Sequence, residues 1–216
     1  MSQGMLGQLP LSKVLRLVGT LFLNLAGENG NLWYDELKKF VRRQPCWLPE
    51  TTGLMRLKLP EFLKSNGQMP AVNLTKPHNP DSFYKDRLGL WVGSDFRRLV
   101  VAAAEPTDVG RRFKKFLRFL LEKNATGEQL KTAFPNGIFT ATEFCPWLAE
   151  MIGRQPNGKV GDLLTNGFAN LFLVEGVNGA VFVVYVRWRS GYRLWGVSTW
   201  PLGFGLFSGA QFVSRN

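Results

Sequence analysis

The chain is poor in the residues that most enzymatic chemistry needs. It holds one histidine, His78, in 216 residues. A Ser-His-Asp or Cys-His nucleophilic site would have to be built around that imidazole, and its setting, "PHNP" at 77–80, reads as a turn. Cysteine is nearly absent, with only Cys46 and Cys145. That excludes a disulfide scaffold and fits a reducing, cytoplasmic setting. With a single histidine it also leaves no tetrahedral zinc site. There is no Gly-Lys phosphate loop and no dinucleotide fingerprint. "GFGLFSG" at 203–209 spaces its glycines suitably, but no helix follows it. "DELKK" at 35–39 contains an acid-x-Lys triplet without an accompanying strand Asp, and reads as a solvated helix face. Neither a metal nor another cofactor is expected. Long hydrophobic runs are missing too. The longest, "VLRLVGTLFLNLA" at 14–26, is broken by Arg16 and Asn24 and is too short to span a bilayer. It reads as a buried helix, and no membrane span is expected.

Acidic residues are scarce, 16 against 27 Lys and Arg, leaving a net charge of +11. Such a surplus attracts polyanions. Nucleic acid is the first candidate and an anionic membrane surface the second. Aromatic residues, by contrast, are plentiful, with 17 Phe and seven Trp. They can fill a core or offer flat faces for stacking.

Region 1–68 reads as helical. Leu11, Val14, Leu15, Val18, Phe22 and Leu25 share one side of a helix over 11–25. A second helix is predicted over 34–44, with Leu37, Phe40 and Val41 inward and Lys38, Lys39, Arg42 and Arg43 outward. The Pro- and Asn-rich stretch 69–88 reads as a linker, leaving 89–216 as an α+β domain. Within it, "RRFKKFLRFLLEK" at 111–123 sets Phe113, Phe116, Leu117, Leu120 and Leu121 at amphipathic-helix spacing. Arg111, Arg112, Lys114, Lys115 and Arg118 cover the remaining surface. Thr126 and Gln129 fit a capping box for a helix ending near Phe134. A helix over 143–152 turns Phe144, Trp147, Leu148, Met151 and Ile152 to one side, with Pro146 in its first turn. A short helix at 160–164 ends at Gly167. "GLWVGSDFRRLV" (89–100) and "GIFTATEFCPWL" (137–148) form a weak repeat, each copy a brief extended segment that enters a helix.

Strands are predicted at 168–175, 180–189 and 192–199, with a fourth near 209–214. Asn178-Gly179 and Ser190-Gly191 suit two-residue turns. Those turns place Leu171, Leu173, Phe182, Val184, Val186, Trp188, Trp195 and Val197 on the core face. The other face then carries Phe168, Asn170, Phe172, Tyr185, Arg187, Arg189 and Tyr192. Aromatics beside arginines on the wet face of a sheet can stack bases and grip phosphates. The alternative is a helix packed over the aromatics, with the arginines at its rim. A slip of one residue at either turn exchanges the faces.

The element order over 111–189 is helix, extended "GIF", helix, short helix and hairpin. It resembles a winged helix. The resemblance implies a third helix, "GKVGDLLTNG" at 158–167, that enters a major groove. With Lys159 opposed by Asp162, that helix is poorly equipped to read bases. The fold class expected is α+β: a helical N-terminal part, then a winged-helix-like bundle on a C-terminal antiparallel meander of three or four strands.

The function expected is non-enzymatic nucleic-acid binding, to DNA or RNA, mainly through phosphates. Arg111, Arg112, Lys114, Lys115, Arg118, Arg187, Arg189 and Arg193 would neutralise phosphates, and Tyr185 and Tyr192 would stack. Lys38, Lys39, Arg42 and Arg43 would extend the footprint, and affinity would fall steeply with salt. Two alternatives remain. One is a protein-interaction module or assembly subunit that uses the aromatic C-terminus, "PLGFGLFSGAQFVSRN", as a protein contact surface. The other is an enzyme with a metal-bound carboxylate site.

Overall fold

The structure, a computed structural model, describes residues 11–27, 30–42, 59–85 and 88–215. The chain divides into two units, 1–58 and 59–216.

In the first unit, α1 (Leu11–Ala26) and α2 (Gly30–Val41) pack against each other. Gly30 permits the close turn between them, because a side chain there would strike the Leu25 carbonyl. The first helix matches its apolar spacing, whereas the second begins at Gly30, four residues before the expected start, and residues 43–44 lie outside the described residues. The run at 14–26 is not buried along its length. Phe22, Leu23, Phe40 and Val41 are exposed. Two helices can cover only the stripe that lies between them. Arg43 and Cys46 lie outside the described residues.

The second unit is a mixed α+β structure around a large, mostly antiparallel sheet. In chain order its strands are β1 (Leu63–Met69), β2 (Val72–Asn73), β3 (Leu90–Val92), β4 (Arg112–Phe113), β5 (Phe116–Leu121), β6 (Ala125–Thr126), β7 (Phe139–Thr140), β8 (Asn170–Glu175), β9 (Val181–Arg189), β10 (Leu194–Trp200), β11 (Gly205–Leu206) and β12 (Gln211–Ser214). Its helices are α3 (Ser94–Leu99), α4 (Gly127–Ala133) and α5 (Ala141–Arg154). The main sheet runs β1-β5-β12-β8-β9-β10-β3, and β7 adds to β8. Three pairings are parallel, β3 with β10, β12 with β8 and β7 with β8.

The segment 111–123 is not a helix. It forms β4 and β5, and β5 lies inside the sheet between β1 and β12. A strand covered on both faces reads as a nearly continuous apolar run. Phe116, Leu117, Leu120 and Leu121 therefore mimic helical spacing, although Phe116 serves one core and Leu121 the other. The segment 160–167 forms no helix either. Side-chain amides satisfy its backbone instead. Gln155 Nε2 donates to the carbonyls of Lys159 and Leu163, and the Leu163 N–H donates to Gln155 Oε1. The Leu164 N–H donates to Asn170 Oδ1. Of the expected winged-helix order, 111–123 and 160–167 are therefore not helices, while α4 and α5 flank the extended "GIF" segment.

Other local signals hold. Thr126 and Gln129 form the capping box of α4. Both copies of the repeat run from a short strand into a helix, β3 into α3 and β7 into α5. The cap of α5 is Thr140, whose hydroxyl accepts from the Glu143 N–H, and Pro146 sits inside the helix rather than in its first turn. The Pro-rich stretch 69–88 belongs to the second unit. It contains β2, a bridge from His78 to Thr107 and the fully buried Phe83.

The turns decide the faces. Glu175 pairs with Val181, so the β8–β9 loop spans 176–180 and is longer than a two-residue turn. The odd difference moves Leu171 and Leu173 to the side of Tyr185 and Val183. Phe172 and Val174 take their place with Val184, Val186, Trp188, Trp195 and Val197. Arg189 pairs with Leu194 across the β9–β10 loop. That even difference leaves the faces of β9 and β10 as expected.

Each face of the sheet covers a core. Under α5, Phe116, Phe139, Phe144, Trp147 and Phe172 form an aromatic cluster. On the other side, Phe119, Phe134, Leu171, Leu173 and Phe212 pack beneath α4.

Candidate functional site

The face that carries Leu171 and Tyr185 is only partly covered, and a groove opens there. Tyr185 and Trp200 are diagonal neighbours across β9 and β10, a geometry that lets large rings meet. Their centroids are 4.0 Å apart and their planes 24° from parallel. After Pro201 the chain turns back, the Phe204 N–H donating to the Pro201 carbonyl. Phe204 is thereby laid on Trp200 at 4.6 Å, again 24° from parallel. The result is a continuous wall of three stacked rings. Phe168 and Phe207 stand in the groove lining as well, 46% and 66% exposed. Gly209 makes room for Phe168. It has φ +86°, and a Cβ there would come within 2.5 Å of the ring. Ala169, Leu171, Leu206 and Ala210 complete the lining. The volume is about 420 Å³, inside the range of roughly 300–1,000 Å³ for small-ligand sites.

Arg187 and Arg189 complete the lining. They share a face with Tyr185 because alternate residues of a strand point the same way. Gly196 is the register partner of Arg187. With no side chain at Gly196, Arg189 lies flat there; a Cβ would sit 3.0 Å from its Nε. The guanidinium reaches 4.8 Å from the ring centroid of Trp91 on β3, a cation–π contact. Among the described residues no carboxylate pairs with Arg187 or Arg189. The lining holds no carboxylate, imidazole or thiol. It can stack a flat ring and hold an anion, and the Tyr185 hydroxyl is its one side-chain hydroxyl.

The structure brings Tyr185, Arg187 and Arg189 together and leaves other predicted residues elsewhere. Arg193 and the 76%-exposed Tyr192 sit on the β9–β10 turn, where Arg193 has a left-handed φ of 49°. Arg111, Arg112, Lys114 and Lys115 are exposed, but they run beside β2, where Arg112 pairs with Asn73. Phe113 belongs to the core under α5, and Arg154 of α5 donates to the Asn73 carbonyl. This basic segment therefore lies on the other side of the sheet from the groove. Arg118 is three-quarters covered and pairs with Asp162 at 3.7 Å. In the first unit Lys38 pairs with Asp35 at 3.6 Å and lies 4.1 Å from the centre of the Tyr34 ring. Lys39 pairs with Glu36 at 2.6 Å, and Arg42 is exposed. Among the described residues of the second unit, the expected phosphate-binding cations are not gathered on a single strip.

Sequence reasoning missed Trp91 and Trp200, and it placed Phe204 and Phe207 only in the alternative of an aromatic protein-contact surface. The signal for the last two was present. Phenylalanines set among glycines in "GFGLFSG" have little local chain to pack against.

His78, Cys145 and Glu150, outside the groove, are buried or paired. His78 is buried edge-on to Phe83 at 5.6 Å. Burial pushes the Cys145 thiol up to about 12, so it is no thiolate near neutrality. Burial would also raise the Glu150 carboxyl, but the Thr75 hydroxyl and N–H and the Arg154 guanidinium hold it below its ordinary value. Among the described residues no group of three His, Cys, Asp or Glu could hold a metal ion, and no helix is long and apolar enough to cross a membrane. Comparison with protein-family models, with curated proteins and with solved structures returns no significant match.

Proposed function

We propose that the protein binds nucleic acid at this groove, in a cytoplasmic setting and without catalysing a reaction. One observation carries the reading. The wall of Tyr185, Trp200 and Phe204 stands beside two guanidiniums that no carboxylate among the described residues neutralises. Aromatic faces suit bases and cations suit phosphates, and each contact strengthens when both are made by one ligand. The reading needs no recognition helix, so it does not depend on a winged-helix arrangement. Filter binding with mixed-sequence RNA and DNA at low salt tests it. The native chain should retain both, and the Arg187→Ala, Arg189→Ala double variant should lose most of the retention. Equal retention by the double variant would overturn the reading.

A second reading has its own support. Phe168, Phe204 and Phe207 are exposed together, as in a protein contact surface. Concentration-dependent self-association in sizing, removed by Phe207→Ser, would favour it over the first.

A further inference from the structure

Resting on that nucleic-acid reading, we infer that the ligand is a single strand, laid across the sheet from Trp91 to the groove and held by stacking rather than by reading of base edges. Trp91, Gly196 and Arg187 are register partners on β3, β10 and β9. Ala169 follows on the next strand, one residue before the pair of Asn170 and Val186. Three strand spacings of about 4.8 Å give a path of about 14 Å from Trp91 to the groove floor. At about 3.4 Å for each stacked nucleotide, this path has room for about four.

The middle of the path is made flat by Gly196. Any side chain there would displace Arg189 from its place beside Trp91. A guanidinium backed by an indole offers its free face to a base, as arginine planes do in single-strand recognition. The path thus begins with a stacking position at Arg189 and Trp91 and ends with another beside Phe204 and Phe168. Arg187 lies between them, at the height of the phosphates.

The same surface disfavours a duplex. Stacking needs open base faces, and paired bases hide theirs. A duplex is instead read by a helix or ribbon inserted into its groove, and the lining has neither. Base edges also find few partners. Apart from the arginines and the Tyr185 hydroxyl, the lining side chains are apolar or indole. Binding should therefore tolerate most sequences, as aromatic platforms do.

The test uses the full chain with homopolymers of deoxythymidine from one to eight nucleotides, a matched series of deoxyadenosine, and an eight-pair duplex, read by fluorescence anisotropy. Affinity should climb to about four nucleotides and then level, be similar for both bases, and be at least ten-fold weaker for the duplex. Trp91→Ala should weaken the four-nucleotide ligand about ten-fold, the worth of one stacking contact, and leave the two-nucleotide ligand unchanged. Trp91→Phe, which keeps a ring, should restore most of the loss. If two and four nucleotides bind alike and Trp91→Ala is silent, the path to Trp91 is wrong while the groove reading survives. Tighter binding of the duplex overturns the single-strand assignment. If none of these ligands binds, the nucleic-acid reading itself falls, and the path with it.

Discussion

Binding should weaken only gently with salt. Each phosphate neutralised on a single strand contributes about −0.7 to the slope of log K against log salt. The groove presents two unpaired guanidiniums, Arg187 and Arg189. The slope should then be about −1.4, and raising salt from about 50 to about 200 mM should cost about seven-fold in affinity. A shared strip would behave otherwise. If Arg111, Arg112, Lys114, Lys115 and Arg193 joined the two groove arginines, the slope would be about −5 and the loss about a thousand-fold. Anisotropy of a labelled strand of about twelve nucleotides, which carries enough phosphates to reveal either slope, separates the two outcomes across a salt series without any variant. Arg187→Ala should then bring the slope to about −0.7, whereas the Lys114→Ala, Lys115→Ala pair should leave it unchanged. A slope steeper than about −4, or one that Arg187→Ala does not alter, would refute the placement of the ligand.

Three further outcomes follow from the packing. Gly209→Ala should destabilise the fold by about 1–2 kcal/mol in urea unfolding, the cost of a left-handed residue with a Cβ, and should also weaken oligonucleotide binding because the new methyl displaces Phe168. Trp147→Ala should cost about 3–5 kcal/mol, since the ring is fully buried among Phe116, Phe139, Phe144 and Phe172; the folded fraction should bind as the native chain does. The Glu150 carboxyl is held below its ordinary value, so its stabilising effect is complete above about pH 4.3 and is lost as pH falls through the lower, folded value. Glu150→Gln should lower the melting temperature at pH 7 and show a shallower fall between pH 5 and pH 2 than the native chain.

What could be read from the sequence is what local chemistry decides. The capping box at Thr126 and Gln129 and the apolar stripe of α5 are set within a few residues, and both are where the pattern puts them. β5 was illegible because its pattern reflects neighbours on both sides that lie far away in the chain, β1 before it and β12 after it. β1 was illegible for the opposite reason. "LKSNGQM" buries only its two ends, and it is a strand because β5 offers it hydrogen bonds. The positions of Leu171 and Leu173 depended on the length of one loop, and 176–180 differs from a two-residue turn by an odd number.

The same division explains which of the expected cations the fold brings together. That Tyr185, Arg187 and Arg189 share a face follows from the period of one strand, and no error in a turn can separate them. Net charge, by contrast, is a sum and carries no positions. By count, 111–118 is the richer cluster, but there the strand turns Arg118 toward Asp162 and sets Arg112 opposite Asn73 of β2, away from the groove. A cation on a strand becomes a binding group through what the adjacent strands set beside it. Trp91 comes from β3, which flanks β10, and Trp200 from β10 itself, the one far from "RWR" in sequence and the other beyond an intervening loop. Substituting Trp91 or Trp200 should therefore damage binding more than removing any arginine of 111–115, although the charge count ranks them in the opposite order.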